Sequence, residues 1–117
     1  MDKIAQLIST LFEARNKIHI AHLQTTSYAA HVALAGYYDN IIGLADTLAE
    51  AYQGRHGIIN NYPTVVLPTD SIELLTYVRS WIDSNRFEVS SESEIQNMID
   101  TILELHDSTL YKLKQFK

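Results

Sequence analysis

Both prolines of the chain, Pro63 and Pro68, fall in one short stretch near its middle, and Gly43, Gly54 and Gly57 lie before or at the edge of that stretch. A proline inside a helix removes a backbone donor and clashes with the preceding turn, so this placement leaves both flanking halves free to form long helices. In each half the apolar residues recur at three- and four-residue steps, the period of a helix with one buried face.

Along residues 2–25 the stripe is Ile4, Leu7, Ile8, Leu11, Phe12, Ile18 and Leu23, opposite Asp2, Gln6, Ser9, Glu13, Asn16 and Lys17. Thr25, Thr26 and Ser27 offer side-chain oxygens to cap a second helix over 28–53, with Leu34, Tyr38, Ile41, Ala45, Leu48 and Tyr52 as its stripe and Gly54 as its end. Residues 54–69 hold most of the breakers and no helical period, which implies a crossover longer than the ~2–8 residues usual between bundle neighbours. A third helix opens at Thr69 or Asp70, where Asp70 and Glu73 have capping-box spacing, and buries Leu74, Leu75, Val78, Trp81 and Ile82. A fourth opens at Ser90 or Ser91, with Ser91 and Glu94 at the same spacing, and carries Ile95, Met98, Ile99, Ile102, Leu105 and Leu113. The expected fold is all-α: one domain over 1–117, an antiparallel four-helix bundle whose long crossover joins helices two and three, which is the ferritin-like connectivity.

At 117 residues, 46% of them hydrophobic and 20% charged, the chain has the proportions of one globular domain with a real core. Nine Lys and Arg against 14 Asp and Glu leave a formal charge of -5, so the surface offers no electrostatic footprint for nucleic acid. Without cysteine, disulfides, thiolate zinc sites and cysteine nucleophiles are excluded, and any metal must rest on His, carboxylate or carbonyl ligands. The N-terminus lacks a basic region followed by an apolar run, and no window approaches the ~18–20 apolar residues of a membrane span. The chain therefore reads as untargeted and cytoplasmic.

Polar groups stand where apolar ones are expected on the first two helices. Arg15, His19 and His22 fall inside the apolar sector of helix one, and His31 lies at the rim of the stripe on helix two. Asp39, Asp46 and Glu50 share one flank of helix two, with Asp46 and Glu50 one turn apart so that both can converge on one cation. Imidazole with carboxylate suits iron, manganese or zinc. Arg15, His22 and His106 project toward the bundle interior and are expected in a buried polar network, for instance with Asp39 or Glu104, while Tyr28, Tyr37, Tyr38 and Tyr52 are expected to pack in core and interface.

The intervals invite a comparison. His31 stands twelve residues after His19, Asp46 fifteen after His31, and Glu50 four after Asp46. The run from His19 to His31, followed by Asp46-Thr-Leu-Ala-Glu50, resembles the ferroxidase segment of the Dps proteins, the ferritin-like starvation proteins. The resemblance implies an iron site in which His19 and His31 of one subunit face Asp46 and Glu50 of a two-fold partner, with ferroxidase activity and assembly up to a dodecameric shell. Four of the five ligand positions match. The fifth, a carboxylate in the family, is Ala35 here, and Asp39 one turn later is the candidate substitute. Ile20 replaces a tryptophan usual after the first histidine, and the lysine-rich tail of the family is absent. The resemblance thus leads to iron as cofactor, manganese or zinc as alternatives, and one tight and one weak metal position.

Two other readings stand beside it. Arg15-Asn16 followed by His19 or His22 looks like the Arg-Asn-x-His signature of HEPN ribonucleases, all-α dimers whose Arg-to-His spacing His22 meets only at its limit. A metal-free helical bundle acting through its surfaces is the third reading, favoured by the missing carboxylate at Ala35. Under each of the three the chain is expected to be at least a two-fold dimer through helices one and two, where Ala29, Ala33, Ala35, Gly36 and Gly43 allow close approach.

Overall fold

A computed structural model describes residues 2–117 and contains four helices: α1 (Lys3–Gln24), α2 (Tyr28–His56), α3 (Ser71–Val89) and α4 (Ser93–Gln115). No strand occurs among the described residues, and none of the helices is long and apolar enough to cross a membrane. α1 packs on α2 and α3, and α4 packs on α2 and α3, which leaves α1 diagonal to α4 and α2 diagonal to α3. The result is a four-helix bundle measuring 43 × 25 × 22 Å.

Side-chain caps set the starts of α2 and α3. Ser27 caps α2, its hydroxyl accepting from the Ala30 amide at 3.2 Å, and Asp70 caps α3, its carboxylate accepting from the Glu73 amide at 3.0 Å. Two ends differ from the sequence expectation. α2 runs through Gly54 to His56 and stops at Gly57, whose φ of +92° only glycine adopts freely. Arg55 and His56 just beyond Gly54 are tied to Glu92 and Glu94, which holds the last turn helical despite the low propensity of Gly54. α4 begins at Ser93 rather than beside Ser91, because Ser90 accepts from the Glu92 amide at 3.1 Å and holds the chain extended for two more residues.

The crossover occupies residues 57–70. The end of α2 is tied to the start of α4, Arg55 to Glu92 and Glu94 at 3.2 and 3.1 Å and His56 to Glu92 at 2.9 Å. The start of α3, by contrast, shares a cavity wall with Ala21, Gln24 and Thr25 at the end of α1. The connection therefore runs the length of the bundle, and at ~3.3 Å per extended residue it is just long enough. Ile59 and Leu67 are buried and pin it to the core.

The core is apolar: Leu7, Leu11, Ile18, Ile41, Leu48, Leu74, Leu75, Val78, Ile82, Ile95, Ile99 and Ile102 are all essentially inaccessible. Each such side chain contributes about 1.5–3 kcal/mol relative to its exposed state. Phe12 and Leu23, placed by their period in the stripe of helix one, are instead 38% and 71% exposed, since α2 and α3 cover a narrower sector than the periodicity suggests. Tyr28 is exposed in the single chain, whereas Tyr37 is buried in its core. On the far side, Arg79 of α3 makes a two-pronged pair with Asp107 of α4 at 2.8 and 3.2 Å.

Candidate functional site

α1 presents Arg15, His19 and His22 at steps of four and three, and α2 presents His31 and Tyr38 seven apart, so each set forms one column on its helix. The loop of Thr25, Thr26 and Ser27 folds α2 back along α1 and brings the two columns face to face. His22 and His31 then stack, their ring centroids 3.7 Å apart and their planes 20° from parallel. Nδ1 of His22 donates to the backbone oxygen of His31 at 2.7 Å, and Nδ1 of His31 donates to the backbone oxygen of His22 at 2.9 Å. A carbonyl can only accept, so both rings carry their proton on Nδ1 and turn Nε2 away from the bond. The His22 carbonyl lies in the last turn of α1, where no helical donor remains for it. His31 supplies that donor.

Tyr38 forms the second layer. His19 stacks on it with centroids 3.8 Å apart and planes 11° from parallel, the Arg15 guanidinium lies 5.5 Å from the ring centre, and His22 meets it edge-on at 5.2 Å. Arg15, Tyr38, His19, His22 and His31 thus make one continuous stack along the α1–α2 seam. His22 is buried, the others half-buried.

The carboxylates are elsewhere. Asp39, Asp46 and Glu50 are exposed on the outward face of α2 and make no hydrogen bond or ion pair with the described residues. His31 and Asp46 sit on one unbroken helix fifteen residues apart, a separation of about 22 Å at the ~1.5 Å rise per residue. Among the described residues no three histidines or carboxylates of one chain converge to hold a metal ion. Asp39 lines, with Glu104, an open groove between α2 and α4.

The expected network of Arg15, His22 and His106 with Asp39 or Glu104 does not form. Arg15 bonds Asn16 at 3.2 Å and covers Tyr38, and His22 engages His31. His106 is fully buried, accepts from the Tyr37 hydroxyl at Nε2 across 3.0 Å and donates from Nδ1 to the Ile102 oxygen at 2.8 Å. Burial pushes the Tyr37 phenol well above its ordinary value and holds His106 down at about 4. The importance of Tyr38 as a stacking platform is visible in the sequence only as a tyrosine seven residues after His31, which by itself reads as packing.

Residues 22–113 match a family of unknown function, DUF5856, a span that includes His22, His31 and all of α2 and α3 but not Arg15 or His19. The chain is 28% identical over 116 residues, 95% of its length and 88% of the relative's, to an uncharacterized 14.6 kDa protein of the mobD-ri intergenic region of Enterobacteria phage T4. A stretch of 62 residues, 53% of this chain, is 39% identical to part of the nitrogenase molybdenum-iron protein beta chain of Methanococcus maripaludis, and covers 13% of that protein. No solved structure matches. With most of its length inside the matched span, the chain belongs to the DUF5856 family.

Proposed function

We propose that the protein is a Dps-like member of the ferritin-like group: an antiparallel bundle that works as a homodimer and binds a divalent transition metal, iron foremost, between copies. The ligands are His19 and His31 of one copy with Asp46 and Glu50 of the other; Asp39, the candidate substitute for the carboxylate missing at Ala35, stands about 12 Å along α2 from His31, too far to join them. The donor set suits the group, since neutral imidazole and carboxylate together hold iron, manganese or zinc. The observation that carries the reading is the His31 ring. Its Nδ1 proton is committed to the His22 carbonyl at 2.9 Å, the outer contact typical of a metal-ligating histidine, and Nε2 is left with its lone pair.

The second copy follows from distance. With about 22 Å of helix between His31 and Asp46, one chain supplies two half-sites and never a whole one. A two-fold axis that brings His31 of one copy to the Asp46–Glu50 turn of the other passes α2 near Asp39 and Asn40. On either side of that midpoint stand Ala35 and Gly43, and a Cβ added at Gly43 meets nothing within 4 Å, so two α2 backbones can approach closely. Exposed Phe12 and Ile42, which line one groove between α1 and α2, and exposed Ile20 and Leu23 of α1 supply apolar area for the contact. Fe(II) held there would be the substrate, each ion giving one electron to dioxygen, and slowly because one of five expected ligands is absent.

The exposed apolar seam also favours a second reading, a metal-free dimer acting through its surfaces. Anaerobic Fe(II) titration of the wild type beside Glu50→Gln and His31→Ala, followed by oxygen exposure, separates the two. Metal binding in the wild type weakened at least tenfold in both variants supports the metal site. Equal and negligible uptake in all three leaves the surface-acting dimer.

A further inference from the structure

The α2–α4 seam has two unlike cavities. The larger, about 690 Å³, is walled by Asp39 and Glu104 with Asn40, Thr47 and Ser108, and repels anions. The other, about 330 Å³, lies where α2 begins and α4 ends, and is lined by Tyr28, Ala29, Val32, Ala33, Lys112 and Phe116. Residues 28, 29, 32 and 33 share one side of α2, Lys112 lies in the last turn of α4 and Phe116 just past its end, so the chain directs six side chains into one cleft. The alanines make a low floor. Tyr28, Val32 and Phe116 rise around it, each half or more exposed, and Tyr111 braces Phe116 edge-on at 5.6 Å. The wall is tied down from the end of the chain by the Ser27 hydroxyl, which donates to the Lys117 oxygen at 2.8 Å.

Lys112 is the one charged group in the lining, and no carboxylate faces it there. It makes no ion pair among the described residues, as is true of every lysine there, and differs from the other lysines in standing at the edge of this cleft. An apolar cleft with a single unmatched cation at its edge selects a ligand of one kind: an apolar body ending in one negative charge.

We propose that this cleft binds a small free amphiphilic anion, a medium-chain fatty acid or an aromatic carboxylate, with its tail among Tyr28, Val32 and Phe116 and its carboxylate on Lys112 Nζ. The site is separate from the metal reading and does not depend on it. For a ten-carbon chain in so open a cleft the expected Kd is on the order of 0.1 mM. Affinity rises by up to about fourfold per added methylene until the cleft is full.

The test titrates the full-length protein with decanoate by calorimetry and follows backbone amides by NMR. The expected result is one site per chain, shifts centred on Ala29, Ala33 and Phe116, about tenfold weaker binding in Lys112→Met, and loss of binding in Val32→Asp, with circular dichroism unchanged in both surface variants. Decyltrimethylammonium should bind at least tenfold more weakly than decanoate. Binding unaltered in both variants, equal binding of the cationic amphiphile, or shifts centred on Asp39 and Glu104 would overturn the proposal. So would co-sedimentation with phosphatidylglycerol vesicles that the same two substitutions abolish, which would make the surface a lipid contact. No decanoate binding together with dissociation of an oligomer by Val32→Asp would assign the cleft to a second copy.

Discussion

The Tyr37 hydroxyl and His106 Nε2 stand 3.0 Å apart in the middle of an otherwise apolar core, joining α2 to α4 where neither side chain has contact with water. The bond requires a neutral imidazole, because an imidazolium has no lone pair at Nε2 to accept the phenol proton. Burial disfavours the charged ring and moves His106 from 6.5 to about 4, with Arg79 opposing protonation and Asp107 and the Ile102 carbonyl favouring it.

This pair predicts an acid-sensitive core. The unfolded chain takes up a proton near pH 6.5 that the folded chain refuses until about 4, so the stability tied to His106 is complete above 6.5 and drains as pH falls toward 4. The full span amounts to about 3 kcal/mol. Urea unfolding of the wild type between pH 7 and 4 should show that slope, and the double variant Tyr37→Phe/His106→Leu, which leaves no orphaned polar atom, should lose it. Tyr37→Phe alone should cost about 1–2 kcal/mol at pH 7.

The reciprocal bonds of His22 and His31 predict that the α1–α2 hairpin is fastened by side chains. His22→Ala should destabilise by about 1–2 kcal/mol, from loss of one hydrogen bond and of the stack. Combined with His31→Ala, the double-mutant cycle should return a coupling of about 0.5–1.5 kcal/mol. Additivity within error would show that the stacked geometry contributes nothing.

Two glycines three residues apart should respond in opposite directions. Gly54 lies inside α2 with nothing within 4 Å of an added Cβ, so Gly54→Ala should stabilise by about 0.5–1 kcal/mol. Gly57 also has open space, but its φ of +92° strains any L side chain, and Gly57→Ala should cost about 1 kcal/mol. Thermal melts of the two variants decide it.

If metal is held between copies, metal and dimer are thermodynamically linked. Sedimentation velocity at low micromolar chain concentration should show dimer enriched by Fe(II) or Co(II) under anaerobic conditions and depleted by chelator. The shift should vanish in Glu50→Gln. A dimer population indifferent to both metal and chelator argues for the surface-acting reading.

Local sequence was enough for the four helices, the short connection over 25–27 and the long crossover around Pro63 and Pro68, and it narrowed the caps of α2 and α3 to Thr25–Ser27 and to Thr69 or Asp70. Those features depend on residues within a turn or two of one another: apolar period, the missing amide of proline, a side-chain oxygen aimed at a nearby N–H. It also drew attention to His19, His22, His31, Asp46 and Glu50 as polar groups out of place. What those groups meet depends on how distant segments pack. His22 and His31 are nine residues apart and could each have faced solvent, and the hairpin alone makes them partners. His106 finds Tyr37 rather than Asp39 or Glu104 because the pairing of α4 with α2 is set by packing sixty-nine residues along the chain. Phe12 and Leu23 are left exposed for the same reason: a period reveals which side of a helix is apolar, while the width of that side a neighbour covers is fixed by how the helices cross.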